Sequence, residues 1–275
     1  MSRAAESATA DDRRQVIKEL ALLALAALIP MRILREVVDA GGWEILLVGV
    51  PLLFIYAPVY LCRRREVDAD TYRLHIPAFS DRATWWQAVA INLRLFAIIL
   101  VPWLVGYHLY YTLGSQFLPL PTPDPGSGAD GELFGWIGQL QAWWASGPAA
   151  DLQQLQAVAQ SWGPLLTLIM FQIFFVAIPE EFFYRGYFQT RLNEVFPRKW
   201  LIFGVPMGWG SVIACLFFAF GHTVVLFQWW HFATFFPGMI FAWLREKTDG
   251  VIAGALFHAG CNIIIVCLDT WYGII

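Results

Sequence analysis

Glu180 and Glu181 stand side by side in a long apolar run, with Arg185 one helical turn further on. The uncharged stretch before them reaches back to Leu152, and Leu165–Pro179 is apolar enough to lie in a bilayer. An ionisable group at membrane depth costs roughly 2.5–3.5 kcal/mol on insertion scales. Three such groups together mark a candidate functional site. Glu181 and Arg185 are spaced i,i+4, so they share a helix face and can pair. Glu180 points about 100° away, free to face a cavity, and Pro179 bends the helix where the carboxylates begin. The competing reading is a helix end emerging among lipid headgroups with its charges solvated. Gly186, Tyr187 and Phe188 continue the apolar segment and weigh against it.

Two later segments also carry titratable or amide side chains inside apolar surroundings. Phe218-Ala219-Phe220-Gly221-His222 lies in a stretch, Trp200–Leu244, without a single Asp, Glu, Lys or Arg. Gly254, His258 and Asn262 recur every four residues and so stack on one helix face, extended by Gly250 and flanked by Ala255 and Ala259. Alone, His222 reads equally as a core or interfacial histidine. The His258 face reads equally as interhelical hydrogen-bond glue between close-packed helices. Depth permits a combination: Glu180 and His258 lie roughly 10–20 Å into the bilayer at ~1.5 Å rise per residue. His222 joins them if its helix starts after Pro206–Gly210, a poor helix start. One Glu, two His and one Asn at one depth suffice for water-activated acyl hydrolysis. A carboxylate with a histidine can polarise water, while a histidine and an amide can donate to an oxyanion.

The elements that would hold these residues are transmembrane helices. The chain has 275 residues, 58% hydrophobic and 14% charged, with a mean hydropathy of +0.55. A soluble domain is nearer 45–50% apolar and about 25% charged, so the expected fold is all-α, a polytopic transmembrane bundle with an intramembrane polar cavity. The expected spans are Leu20–Met31, Ile45–Cys62, Trp85–Thr112, Trp162–Arg191, Trp200–Val225, Phe227–Leu244 and Val251–Leu268, about seven in all. No Lys or Arg occurs between Arg94 and Arg185, whereas Arg63–Arg65, Arg73, Arg82, Arg191, Arg198, Lys199, Arg245 and Lys247 cluster at the opposite ends. The positive-inside rule puts the latter in the cytoplasm and the 113–161 loop outside, with Arg32 and Arg35 on the disfavoured side. In that loop, Pro119–Gly131 is turn-rich. Leu133, Trp136, Ile137, Leu140, Trp143 and Trp144 then recur at helical spacing, as in an interfacial helix. Residues 1–160 form an N-terminal part with this loop, and 161–275 a catalytic helical core. Cys62, Cys215, Cys261 and Cys267 lie in or beside apolar segments without metal-site spacing and read as small core residues. The polar Met1–Asp12 does not resemble a signal peptide, so the first apolar segment is expected to stay as an anchor.

The three motifs resemble those of the CPBP family, the CAAX-protease and bacteriocin-processing membrane proteins. EEFFYR at 180–185 is similar to its EExxxR motif, Phe218–His222 to FxxxH and His258–Asn262 to HxxxN, in the family's order. The resemblance covers about Leu165–Leu268. It implies a glutamic-type intramembrane endopeptidase acting near the C-terminus of membrane-anchored or lipidated proteins. Glu180 would be the general base, His222 would orient the water, and His258 with Asn262 would form the oxyanion site. Glu181 and Arg185 would brace the site. The family includes type II CAAX prenyl endopeptidases, bacteriocin-immunity proteins and the myxosortases, which are thought to process C-terminal sorting tails. His75, His108 and His231 match no motif.

Rival functions differ in class. A zinc protease needs three protein ligands and a water, which Glu180, His222 and His258 could supply, although no HExxH helix is present. A non-enzymatic scaffold or immunity protein would use the polar cluster only to tie helices together. A proton-coupled transporter would use it as a relay, but no inverted repeat is visible. The resemblance calls for no cofactor and no metal. The partners expected are a membrane-tethered protein substrate and the lipid bilayer, not nucleic acid. The location expected is multi-pass in a cell membrane, the bacterial inner membrane.

Overall fold

The structure, a computed structural model, describes residues 8–39, 48–113, 162–226 and 229–272. The Trp-rich segment Leu133–Trp144 and the rest of the loop beyond Leu113 lie outside the described residues. The protein is a helical membrane bundle. Its helices are α1 (Ala10–Asp39), α2 (Gly49–Arg64), α3 (Arg82–Thr112), α4 (residues 162–193), α5 (Trp209–Leu226), α6 (Phe235–Thr248) and α7 (Ile252–Trp271). A two-stranded hairpin, β1 (Arg198–Ile202) with β2 (Val205–Gly208), separates α4 from α5.

Among the described residues, three helical stretches are long and apolar enough to cross a membrane: Arg82–Thr112, Leu165–Asn193 and Ile252–Trp271. A shorter apolar helix covers Trp209–Val225. On α3, Trp86, Leu93, Ile98, Val101 and Val105 are exposed along the shaft. Such a row is costly in water and unremarkable in hydrocarbon. Leu20–Met31 lies within the longer α1, which carries Pro30. The described part of Ile45–Cys62 lies in α2, of 16 residues. The described part of Phe227–Leu244 is a 3-10 turn, Trp229–Thr234, followed by α6.

One expected span needs correcting. Residues 200–208 are not helical: Ile202 pairs with Val205 across a two-residue turn. Phe203 and Gly204 both have positive φ, 49° and 75°, the combination of a type I′ hairpin turn whose twist suits the flanking strands. The hairpin buries Val205 and Met207 against Cys215 and Ala242, and Trp243 Nε1 donates to Ile202 O at 2.8 Å. Hydropathy alone does not register this turn, because its strands are as apolar as a span. Helix α5 starts late, at Trp209 within the Pro206–Gly210 stretch rather than after it.

Two compact units divide the chain, residues 1–89 with 174–258 and residues 90–173 with 259–275. In the first, α1 opens on a reciprocal cap: Asp12 N donates to Thr9 Oγ1 at 3.1 Å and Thr9 N donates to Asp12 Oδ2 at 2.8 Å. Phe183, Tyr187 and Phe188 of α4 are completely buried. Phe183 stacks on Phe54 of α2 at 4.6 Å, and Tyr187 stacks on Tyr72 at 5.3 Å. Polar groups fix the C-terminal end of α4. Arg65 Nη1 donates to Tyr72 Oη at 2.6 Å, Tyr72 Oη donates to Glu194, and Arg191 Nη2 donates to Glu19 at 3.0 Å. Burial pushes the Tyr72 hydroxyl pKa well up, which keeps it a donor to Glu194. Beside it, Glu246 of α6 accepts from Gln189 at 2.9 Å, Asn193 at 3.0 Å and Arg198 at 2.9 Å. Arg32 donates to the Val225 carbonyl at 3.0 Å near the end of α5. A cation is favourable at a helix C-terminus.

In the second unit, Tyr107 Oη donates to Asp269, Tyr111 Oη donates to Tyr272 O at 2.7 Å, and Asn262 Nδ2 donates to Gln172 Oε1 at 2.9 Å.

The hairpin turn yields a test. Gly204→Val forces a β-branched residue into left-handed backbone and should cost about 1–2 kcal/mol, whereas Gly204→Asn should cost clearly less. Thermal unfolding midpoints of the purified variants in detergent measure the difference; equal midpoints would argue against the turn.

Candidate active site

Helix α4 is not a regular α-helix around the glutamates. Residues 172–177 and 182–189 are π-helical, and one α turn, Ile178–Glu181, stands between them. Pro179 has no N–H to donate back along the helix, and wider turns on either side accommodate the break. Such turns are frequent at functional sites.

This segment sets two carboxylates in different surroundings. Glu181 and Arg185 have no exposed side-chain surface, and Arg185 Nε lies 3.5 Å from Glu181 Oε2. The guanidinium rests over two rings, 4.6 Å from the Phe218 centroid on α5 and 5.5 Å from the Phe241 centroid on α6. Neither residue makes an aligned hydrogen bond, so charge and ring faces hold the guanidinium. Gly254 of α7 is packed against this pair: a Cβ there would stand 2.9 Å from Glu181 Oε2. A small residue is what this crossing requires.

Glu180 faces elsewhere. Its Oε2 lies 3.8 Å from His222 Nε2 and 3.8 Å from His258 Nε2. Both distances exceed a direct hydrogen bond and fit groups that share one bridging water. Glu180 and His222 keep 18% and 25% of their side-chain surface, while His258 keeps 3%. The site is partly open, on its Glu180–His222 side.

The imidazoles are oriented by their other nitrogens. His222 Nδ1 lies 3.0 Å from the Phe218 carbonyl, which can only accept, so Nδ1 carries a proton and a neutral ring presents Nε2 as acceptor. His258 Nδ1 lies 3.3 Å from Glu181 Oε1. Its ring stacks on Phe241 at 4.7 Å and 17° and meets the Phe218 edge at 5.7 Å. Thus Glu181 is shared between Arg185 and His258, a contact that spacing along the chain did not reveal.

Of the residues singled out from sequence, Glu180, Glu181, Arg185, His222 and His258 come together in the first unit. Asn262, one turn beyond His258 on α7, belongs to the second unit and is hydrogen-bonded to Gln172. Gln172 was not singled out, although it is the one amide in Leu165–Pro179. Among the described residues, no group of three His, Cys, Asp or Glu is arranged to hold a metal ion.

A family model for the type II CAAX prenyl endopeptidase Rce1-like group matches residues 162–264. Residues 162–264 are similar to that protease family's domain, which supports the resemblance to the CPBP proteins. The match begins with α4 and ends in α7, enclosing all three motifs and well under half of the chain. No curated protein and no solved structure matches the chain.

The geometry predicts unequal effects within the charge cluster. Arg185→Ala leaves Glu181 buried without its cation, a loss of roughly 3–5 kcal/mol, and should sharply reduce folded protein in detergent. Gly254→Ala should press on the Glu181 carboxylate and disturb His258, lowering activity more than folded yield. Normal yield and unfolding midpoint for Arg185→Ala would overturn the assignment of a dry, paired cation.

Proposed function

We propose that the protein is an intramembrane endopeptidase that hydrolyses a peptide bond near the C-terminus of membrane-tethered proteins. One observation carries this reading: in a protease-family domain, one carboxylate oxygen, Glu180 Oε2, is faced at equal distance by two imidazole nitrogens. Glu180 is the general base, and His222 holds and orients the water with it. As the water oxygen bonds to the scissile carbonyl carbon, Glu180 takes its proton. The oxyanion is stabilised by His258 and Asn262. Collapse breaks the C–N bond as the proton passes from Glu180 to the leaving amine. Glu181 supplies the counter-charge for an imidazolium at His258, and Arg185 braces Glu181. On this reading the enzyme is of the glutamic type and needs no metal. The rivals are a zinc-dependent protease and a non-enzymatic scaffold.

The substrate follows from the location of the site. A site set among apolar helices suits a peptide delivered by a lipid anchor or a transmembrane tail. The matched family description names prenyl endopeptidases, which supports a lipidated C-terminus. A C-terminal sorting tail, as for myxosortases, is the alternative that the external Trp-rich loop would suit. The protein is multi-pass, placed in a cell membrane, the bacterial inner membrane, with residues 161–275 as its catalytic part.

Glu180→Gln should reduce turnover by about 10²–10⁴-fold, the range for a lost general base, with normal protein level. EDTA or phenanthroline should leave the wild-type rate unchanged; chelator-sensitive cleavage restored by zinc would replace this mechanism with a metal one. Moving the cleavage site several residues from its anchor should abolish processing. Equal cleavage of an unanchored soluble peptide would refute membrane delivery.

A further inference from the structure

A second place in the molecule combines charge and shape without taking part in the site above. Ala10, Arg13, Arg14, Ile17 and Lys18 of α1 and Phe196, just beyond α4, line an open recess of about 510 Å³. Its lining holds three cations and no carboxylate. The spacing of its α1 residues puts them on one face of the helix. The neighbouring acids are occupied elsewhere: Asp12 caps the helix through Thr9, and Glu19 is bonded to Arg191 and Tyr187. Asp11 does not line the recess.

The cations are partly preorganised. Arg13 Nε donates to the Val195 carbonyl at 3.1 Å, and its guanidinium lies 5.5 Å from the Phe196 ring centroid. Arg14 and Lys18 are exposed and have no ionic partner among the described residues. Ile17 and Phe196 add apolar surface beneath the charges.

Two independent stretches of chain set the height of this recess. Lys18 comes two residues before Leu20, where α1 turns apolar, and Phe196 comes three residues after Asn193, where an apolar helical stretch ends. At ~1.5 Å per residue, Arg13–Lys18 covers a layer under 10 Å deep just outside the hydrocarbon. That layer is where phosphodiesters lie. Arginines suit bidentate contact with phosphate oxygens, and lysine supplies a point charge. The apolar floor is matched to the glycerol and upper acyl chain beside such a group.

We propose that this recess is a binding site for the headgroup of an anionic glycerophospholipid in the cytoplasmic leaflet. The lipid bridges the start of α1 to the chain after α4, so it clamps the cytoplasmic end of the helix that carries Glu180. The site stands whether or not the chain cleaves peptides.

The test uses the full chain purified in an uncharged maltoside detergent. Its unfolding midpoint is followed against dioctanoyl phosphatidylglycerol, dioctanoyl phosphatidylcholine and inorganic phosphate. Phosphatidylglycerol should raise the midpoint saturably, and the other two should not. Arg14→Gln with Lys18→Gln, which spares the Arg13–Val195 bond, should weaken the apparent affinity roughly 10- to 30-fold, at about fivefold per charge. Lys247→Gln, at an exposed cation outside the recess, should leave it unchanged. An equal response in the double variant would overturn the proposal, as would equal stabilisation by phosphatidylcholine. A full shift with inorganic phosphate alone would also overturn it, in favour of a soluble-anion site.

Discussion

A guanidinium with no exposed surface, inside a helix that reads as membrane-embedded, is the constraint on which this domain is arranged. Arg185 cannot shed its charge, so its surroundings must supply compensation. Glu181 provides the counter-charge from the same helix, one turn back. Phe218 and Phe241 provide ring faces from α5 and α6. Gly254 lets α7 come close enough for His258 to reach the same carboxylate. Satisfying one cation thereby aligns four helices. Once they are aligned, the residue before Glu181 and the one four after Phe218 are brought face to face.

The C-terminal end of α4 shows the same economy of means. Tyr72, Arg65, Glu194, Arg191 and Glu19 interlock at one side, while Gln189, Asn193 and Arg198 converge on Glu246 at the other. These bonds fix the rotation of α4 beyond its π-helical turns. Rotation matters there, because adjacent helical positions diverge by about 100°. A twist of that size would exchange the surroundings of Glu180 and Glu181, burying the first carboxylate and exposing the second. Side-chain networks at the helix end thus protect a distinction made two turns deeper.

Much of this was legible in the chain. Charges in an apolar run singled out Glu180, Glu181 and Arg185, and i,i+4 spacing gave the Glu181–Arg185 contact. A histidine in a long charge-free stretch singled out His222. What stayed hidden depends on tertiary contact or on a turn. The Glu181–His258 contact joins α4 to α7, and no periodicity within either helix encodes it. Residues 200–208 read as part of a span because WLIFGVPMG is apolar throughout. The hairpin's one local signal was Phe203-Gly204 between two short apolar runs. The pairing of Asn262 with Gln172 joins two different helices, and the four-residue spacing that sets Asn262 beside His258 carries no sign of it. The π-helical turns leave no mark in composition, although Pro179 signals that some break must occur.

The two imidazoles beside Glu180 are chemically unequal, and the inequality comes from their second nitrogens. His222 is oriented by a neutral main-chain carbonyl of its own helix. That contact settles its tautomer and provides no counter-charge, so its Nε2 is suited to accept a hydrogen bond from water. His258 is oriented by a carboxylate and is almost fully buried. In the proposed mechanism Nε2 must act as a donor to the oxyanion, and the Glu181 carboxylate at the other nitrogen supplies the counter-charge for that role. An acceptor and a donor on either side of one carboxylate are what addition of water to a carbonyl requires, since the water must lose a proton while the oxyanion gains a partner. The proposed division of labour between His222 and His258 therefore rests on Glu181, a residue that touches neither water nor substrate in this mechanism. Arg185 keeps that carboxylate in place, so the buried cation that organises the helices also sets the difference between the two histidines.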